Sequence, residues 1–272
     1  MSEYQYYEFR AIDRPLTGEE MEELREISSR AEITPTSFVN IYNYADFRGE
    51  PLELMERYHD FFIYVTNWGT RQLMFRLPRH LFDPELARPY LVEQYVQVHQ
   101  KGESVILDLL IEDEDAAGWE DGEGYLGPLL PLREDLASGD LRPLYLAWLA
   151  CAGLGILEDD APEPPVPPGL LQLSPALHAL AEFLFIDEPL LVTAASQAPA
   201  AAPARDSAEL ERWLRALPTV EKDTLLLCLI EQRDPHVRSE ILHRFHDDHP
   251  PTSAGSRTTG RTVSDLLAAS QD

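Results

Sequence analysis

With 272 residues, 44% of them hydrophobic and 26% charged, the chain can bury a sizeable core as one large domain or two small ones. Its 22 bases against 48 acids leave a net charge of −26, a field that repels phosphate backbones, so direct nucleic-acid binding is disfavoured. No apolar run approaches the ~20 residues that span a bilayer, and Met1-Ser2-Glu3-Tyr4 offers neither a basic nor an apolar leader; the expectation is a cytoplasmic protein without membrane contact.

The first ~110 residues alternate strand and helix signals. Tyr7, Phe9 and Ala11 share one side of an extended stretch with Glu8 and Arg10 on the other, which predicts a half-buried strand. Thr17-Gly18-Glu19-Glu20 is a capping box, and Met21, Leu24 and Ile27 follow at helical spacing, so a helix is expected over about 18–30. Ser37 to Tyr44 reads as a strand, Pro51 to His59 as a short helix and Phe61 to Thr66 as a third strand, with Asn67-Trp68-Gly69-Thr70 turning into Arg71 to Leu77. A second hairpin is expected from Tyr95 to Leu110 through Lys101-Gly102. This order predicts an α+β fold: an antiparallel or mixed N-terminal sheet with helices on one face, followed by an all-α C-terminal region.

The character changes at 113–125, an acidic junction. Beyond it, Leu144, Tyr145, Trp148, Leu149 and Ala152 share a helical face, and Ser174-Pro175 opens a helix carrying Leu177, Leu180 and Leu184, so 126–193 reads as a helical region. The Pro-rich stretch 158–168 predicts an extended connector, and 194–205, rich in Ala and Pro, a flexible linker. A small helical module is expected over 206–249: Leu210, Trp213 and Leu214 on one helix, Leu225, Leu226, Cys228 and Leu229 on the next, and a last one after Asp234-Pro235. Residues 250–272 are rich in Ser, Thr and Gly, which predicts a disordered tail, with Val263 to Ala268 apolar enough to form a docking turn.

Seven carboxylates fall within 112–123 without a base: Glu112, Asp113, Glu114, Asp115, Glu120, Asp121 and Glu123. They must face water, a cation or a basic partner. The alternating ligands, central glycine and closing glutamate of a calcium loop are missing in register, so a cation is the weaker reading. Trp119 and Tyr125 among the acids favour a basic protein surface, because aromatic rings anchor interfaces and stack on arginine. His243, His246 and His249 lie about a helical turn apart and form a candidate metal cluster, although Pro250 and Pro251 argue against a rigid helix there. Asn40, Tyr42, Asn43, Asp46, Trp68 and Arg71 gather near predicted strand ends, where they cap turns or edge a pocket.

Cys151 and Cys228 stand far apart in apolar helical stretches and read as buried thiols of a reducing compartment. Arginine outnumbers lysine twenty to two, a bias associated with GC-rich bacterial genomes. No nucleophile elbow, phosphate loop, His-Glu-x-x-His helix or Cys/His pair is present, and no cofactor is expected.

The segments Tyr7-Glu8-Phe9-Arg10-Ala11-Ile12-Asp13-Arg14-Pro15-Leu16-Thr17, Ser28 to Phe38, Asp46-Phe47-Arg48-Gly49 and Leu129 to Leu149 resemble an uncharacterised bacterial protein family, and that resemblance implies no particular reaction. Leu217 to Leu226 is similar to helical segments of proteins encoded near SWIM-type zinc-finger proteins, which implies a component of a multi-protein system. Missing reaction motifs, concentrated charge and a separable helical module point to a non-enzymatic adaptor or accessory subunit. Its partner would be a protein with a basic surface, bound through the acidic segment and C-terminal helices. The alternatives are a metal-dependent hydrolase with an unfamiliar carboxylate and histidine site, and an acidic mimic of nucleic acid.

Overall fold

The alternating stretch near the N-terminus forms β1 (Gln5–Arg10), which pairs antiparallel on one side with β3 (Ser37–Tyr42) and on the other with β4 (Phe61–Thr66). These pairings are seen in a computed structural model that describes residues 3–44, 47–118, 121–200, 207–231, 236–248 and 256–271. Tyr7 sits opposite Asn40 and Tyr64, and the ladder continues through β5 (Thr70–Pro78), β7 (Ser104–Glu112) and β6 (Val96–Lys101). A short strand, β2 (Glu32–Thr34), completes the opposite edge. The result is a seven-stranded antiparallel sheet of order β2-β3-β1-β4-β5-β7-β6, and the fold is α+β.

Side-chain alternation divides this sheet into two buried faces. On one, Phe9, Phe38, Phe62, Met74 and Ile106 meet α1 (Gly18–Ile27) through Leu24 and α2 (Pro51–Arg57) through Leu54 and Met55. The predicted capping box holds α1: the Thr17 side chain accepts from Glu20 N, and the Glu20 carboxylate accepts from Thr17 N at 2.8 Å. The Arg14 guanidinium, then Thr17, hold the Glu20 carboxyl down at about 2.

The other face carries Phe61, Ile63, Leu73, Phe75, Leu107 and Leu109, and it is covered by the second half of the chain. There, α3 (Leu126–Leu129) and α4 (Pro131–Ala137) bring Leu126, Leu129, Leu132 and Leu136, while α6 (Pro175–Phe183) and α7 (Glu188–Ala195) bring Leu177, Leu180 and Leu190. Between them runs α5 (Arg142–Gly153), buried at every position from Pro143 to Ala152 rather than along one stripe, as a helix apolar all round must be. The helical region is therefore not a separate unit, since its side chains and the sheet's share one core. Each fully buried Leu or Phe contributes about 1.5–3 kcal/mol of transfer free energy, so neither layer would keep its apolar face in water without the other.

Burial inside α5 pushes the Cys151 thiol up to about 12, whereas Cys228 is half-buried; both are free. Titration of the native protein with a disulfide reagent should therefore modify Cys228 first and Cys151 only on unfolding. Two thiols reacting at one rate under native conditions would contradict that packing.

Two sequence expectations change in the C-terminal part. The expected flexible linker begins inside α7, where Ala194 and Ala195 are buried, and Gly169 N donates to Pro199 O at 3.0 Å; residues 201–206 lie outside the described part. The expected disordered tail is instead ordered over 256–271. Its helix α11 (Val263–Ala269) starts from a second capping box, Thr262 with Asp265, and buries Val263 and Leu266 in the main core. Val166 and Arg257 exchange backbone hydrogen bonds of 2.8 and 2.9 Å, and Glu163 N donates to Arg261 O at 2.9 Å, so the strap pairs with the Pro-rich connector. Proline-rich chain with few ladder donors is held here by a tail too short to fold alone.

Candidate interaction surface

The acidic segment starts as a continuation of the sheet. Strand β7 runs to Glu112, and Asp113 N donates to Gly69 O at 3.1 Å across the β4–β5 turn. Gly69 has φ +92°, and a β-carbon there would lie 1.8 Å from the Asp113 carbonyl oxygen; only glycine allows the two backbones to approach so closely. Asp113 Oδ1 then accepts from Asp115 N at 3.0 Å and Asp121 Oδ1 from Glu123 N at 3.2 Å, local turns that Asp favours. Tyr4 OH donates to Asp121 O at 2.6 Å, and Gly122 (φ +74°) lies against the Tyr6 ring. Burial, with Asp121 and Glu123 nearby, raises the Tyr4 phenol above its ordinary value.

The loop backbone is thus pinned to the sheet while Glu112, Glu114, Asp115, Asp121 and Glu123 are exposed and Asp113 half-buried. Among the described residues, no base forms an ion pair with any of these six carboxylates. Trp119 and Glu120 lie outside the described part.

The C-terminal module consists of α8 (Ser207–Ala216), α9 (Thr219–Ile230) and α10 (Val237–Asp248). The α8 and α10 helices meet through Trp213 and Phe245, with ring centroids 5.4 Å apart, and Trp213 Nε1 donates to Asp248 Oδ2 at 2.8 Å. Arg244 ties α10 to Glu221 of α9 at 2.6 Å. On α9 no residue is buried, although five of its twelve residues are large, apolar and in water: Val220, Leu226, Leu227, Leu229 and Ile230 are 48–79% exposed. Contiguous exposed apolar surface on one helix is a signature of an interaction site.

The module meets the body through polar contacts that sequence reading missed. Ser239 Oγ donates to Glu134 Oε2 at 2.6 Å, Arg238 Nη1 pairs with Glu134 Oε1 at 2.5 Å, and His80 Nε2 lies 3.3 Å from Glu240 Oε1. Beside them, His236 Nε2 is 3.0 Å and Arg133 Nη2 2.7 Å from Asp13 Oδ2. Asp60 underlies this group: its Oδ2 accepts from Ile12 N at 2.6 Å and Asp13 N at 2.9 Å, and its Oδ1 from Arg76 Nη2 at 2.5 Å. Asp13 and His236 stand 223 positions apart, so no local spacing could reveal the pair.

Burial raises the Asp13 carboxyl, but the hydrogen bond from His236 and the charge and hydrogen bond of Arg133 outweigh it, leaving the group well below the usual carboxylate range. A depressed carboxyl stabilises the fold above its unfolded value of about 3.9, and the contribution is lost as pH falls below that. Protection of the α10 amides, taken relative to their intrinsic exchange rate at each pH, should therefore fall between about pH 4 and pH 2, and Asp13→Asn should already be weakly protected at neutral pH. An α10 equally protected in Asp13→Asn would show that the pair does not hold the helix.

The remaining candidates have structural surroundings. His243 is half-buried on α10, while His249 and the side chain of His246 lie outside the described part; no group of three His, Cys, Asp or Glu among the described residues is placed to hold a metal ion. Asn40 is buried and donates to Ser28 Oγ at 2.6 Å and Tyr42 OH at 2.8 Å, Asn43 and Trp68 are exposed, and Asp46 lies outside the described part. Arg71 is buried under aromatic rings, 3.8 Å from the Phe185 centroid, and donates to the Glu182 and Phe183 carbonyls at the end of α6. A mostly apolar groove of about 380 Å³ lies between α6 and α7, lined by Leu171, Ala181, Leu191 and Val192. No protein-family model, no curated protein and no solved structure matches the chain, so its site rests on its own geometry. No described helix is long and apolar enough to cross a membrane.

Proposed function

We propose that the chain is a non-enzymatic interaction component, a cytoplasmic bacterial adaptor or accessory subunit that engages a protein partner through its C-terminal module. The observation that carries this reading is α9: a twelve-residue helix with no buried side chain and a contiguous apolar face in water. The exposed acids Glu112, Glu114, Asp115, Asp121 and Glu123 add long-range attraction for a basic partner, an effect on encounter rate that salt screens. A net charge of −26 supports a protein rather than a nucleic acid as that partner.

The test is quantitative co-purification from the native host with three forms of the full chain: unaltered, Leu227→Glu with Ile230→Glu, and the exposed acids Glu112, Glu114, Asp115, Asp121 and Glu123 replaced by Asn or Gln. Leu227, Ile230 and these five acids are all exposed, so the core is untouched. A partner recovered with the first form, lost with the second and reduced in the third at low salt is the expected result. The same partner set in all three forms would overturn the proposal.

A further inference from the structure

The exposed face of α9 has an internal order that narrows what can sit on it. Val220, Asp223, Leu227 and Ile230 follow one another at steps of three, four and three residues, the seam spacing of paired helices, with Leu226 beside them. At 1.5 Å per residue the stripe is about 15 Å long, and even with Leu226 it covers only one side of the helix, the footprint of a second helix rather than of a strand or a flat surface. It contains a single acid, Asp223, exposed and without an ionic partner among the described residues. Lys222, the base of this helix, is turned towards α8, where its Nζ donates to Arg215 O at 3.0 Å.

Resting on the reading of the chain as an interaction component, we propose that α9 docks an amphipathic helix of a partner protein bearing apolar residues at seven-residue spacing and a Lys or Arg opposite Asp223. Charge complementarity selects this occupant. In a two-fold pairing of α9 with a second copy, centred on the stripe, Asp223 would lie against Leu227 and two chains of net charge −26 would be brought together. An anionic lipid surface meets the same repulsion, and the carboxylate itself opposes insertion. A basic helix instead supplies a cation where the stripe carries its acid, and charge opposite a seam position fixes register as well as affinity.

The experiment uses the full chain and two synthetic amphipathic peptides of about 20 residues, both with Leu at the seam positions, one flanked by Lys and the other by Glu. Binding is read by fluorescence anisotropy of the dilute labelled peptide. The Lys peptide is expected to bind, Leu227→Asp to weaken it by about tenfold or more, and Asp223→Lys to shift preference towards the Glu peptide by roughly threefold to fivefold. Replacing the acids of 112–123 should leave the Lys peptide's affinity within about twofold at 0.5 M salt.

Equal binding of both peptides, or no response to Asp223→Lys, would overturn the charge assignment. Loss of binding on removing the acids of 112–123 but not in Leu227→Asp would overturn the docking site while leaving the interaction reading intact. A dimer in sedimentation that Leu227→Asp dissolves would make the occupant a second copy and overturn the proposal as well.

Discussion

Arg261→Ala should destabilise the protein by about 3–5 kcal/mol, the range for leaving one member of a buried ion pair without its partner. Glu163 has a fully buried side chain, and its carboxylate accepts from Arg261 Nε at 2.9 Å, Arg261 Nη2 at 2.8 Å, Tyr145 OH at 2.6 Å and the Thr259 hydroxyl. Removing the guanidinium leaves a carboxylate with two neutral donors inside the core. It also frees the strap that buries Val263 and Leu266. For a domain of this size the loss corresponds to a fall in Tm of roughly 10 °C.

Thermal unfolding of the variant beside the unaltered protein checks this. A Tm within about 2 °C of the unaltered protein would show that the strap is not held by this pair.

Asp60→Ala should cost a similar amount, about 3–5 kcal/mol, because it uncovers three groups at once. The Asp60 side chain is only 1% exposed; without it the Ile12 and Asp13 amides and the partly buried Arg76 guanidinium lose their acceptor. The two amides fix the turn that follows β1, and that turn carries Asp13 to His236 and Arg133. Destabilisation of the body should therefore be accompanied by release of α10, read as faster hydrogen exchange across Val237–Asp248. Asp60→Asn keeps an acceptor for the backbone donors and should lose less. If Asp60→Ala destabilised the sheet without changing exchange in α10, the path from Asp60 through Asp13 to the module would be wrong.

The elements that sequence reading located are those whose cause is local. Thr17 and Glu20 stand three residues apart and cap α1 wherever the helix packs, and Ser174 caps α6 by the same short-range bond. Strand β4 coincides with the predicted run because six successive residues with β-forming side chains leave little choice of conformation. By contrast β2 has three residues, too short to show a period, and it is a strand because Ser37–Tyr42 offers it a free edge. The acidic segment was legible as a junction from composition, but its rigid seat against Gly69 and Tyr6 was not, since those contacts join residues more than forty and one hundred positions apart.

The candidate surface divides in the same way. Leu226 and Leu229 were visible as apolar helical residues, and spacing alone assigns such residues to a core; only the packing of α8 against α10 shows that α9 keeps its stripe in water. Glu163 in a Pro-rich connector reads as a solvated acid, yet its side chain is fully buried against Arg261 of the strap, 98 positions away.

By itself, then, the sequence determined the α+β class, the capped helices, the hairpins, the negative field and the absence of familiar reaction motifs, because each follows from composition or from neighbours within a few residues. Tertiary structure alone decided that the two halves share one core, that the tail is a strap, that Asp13 meets His236 and that α9 faces solvent. Those outcomes depend on which distant surfaces bury one another, and a periodicity of 2 or 3.6 residues says which side of an element is apolar but not what will cover it.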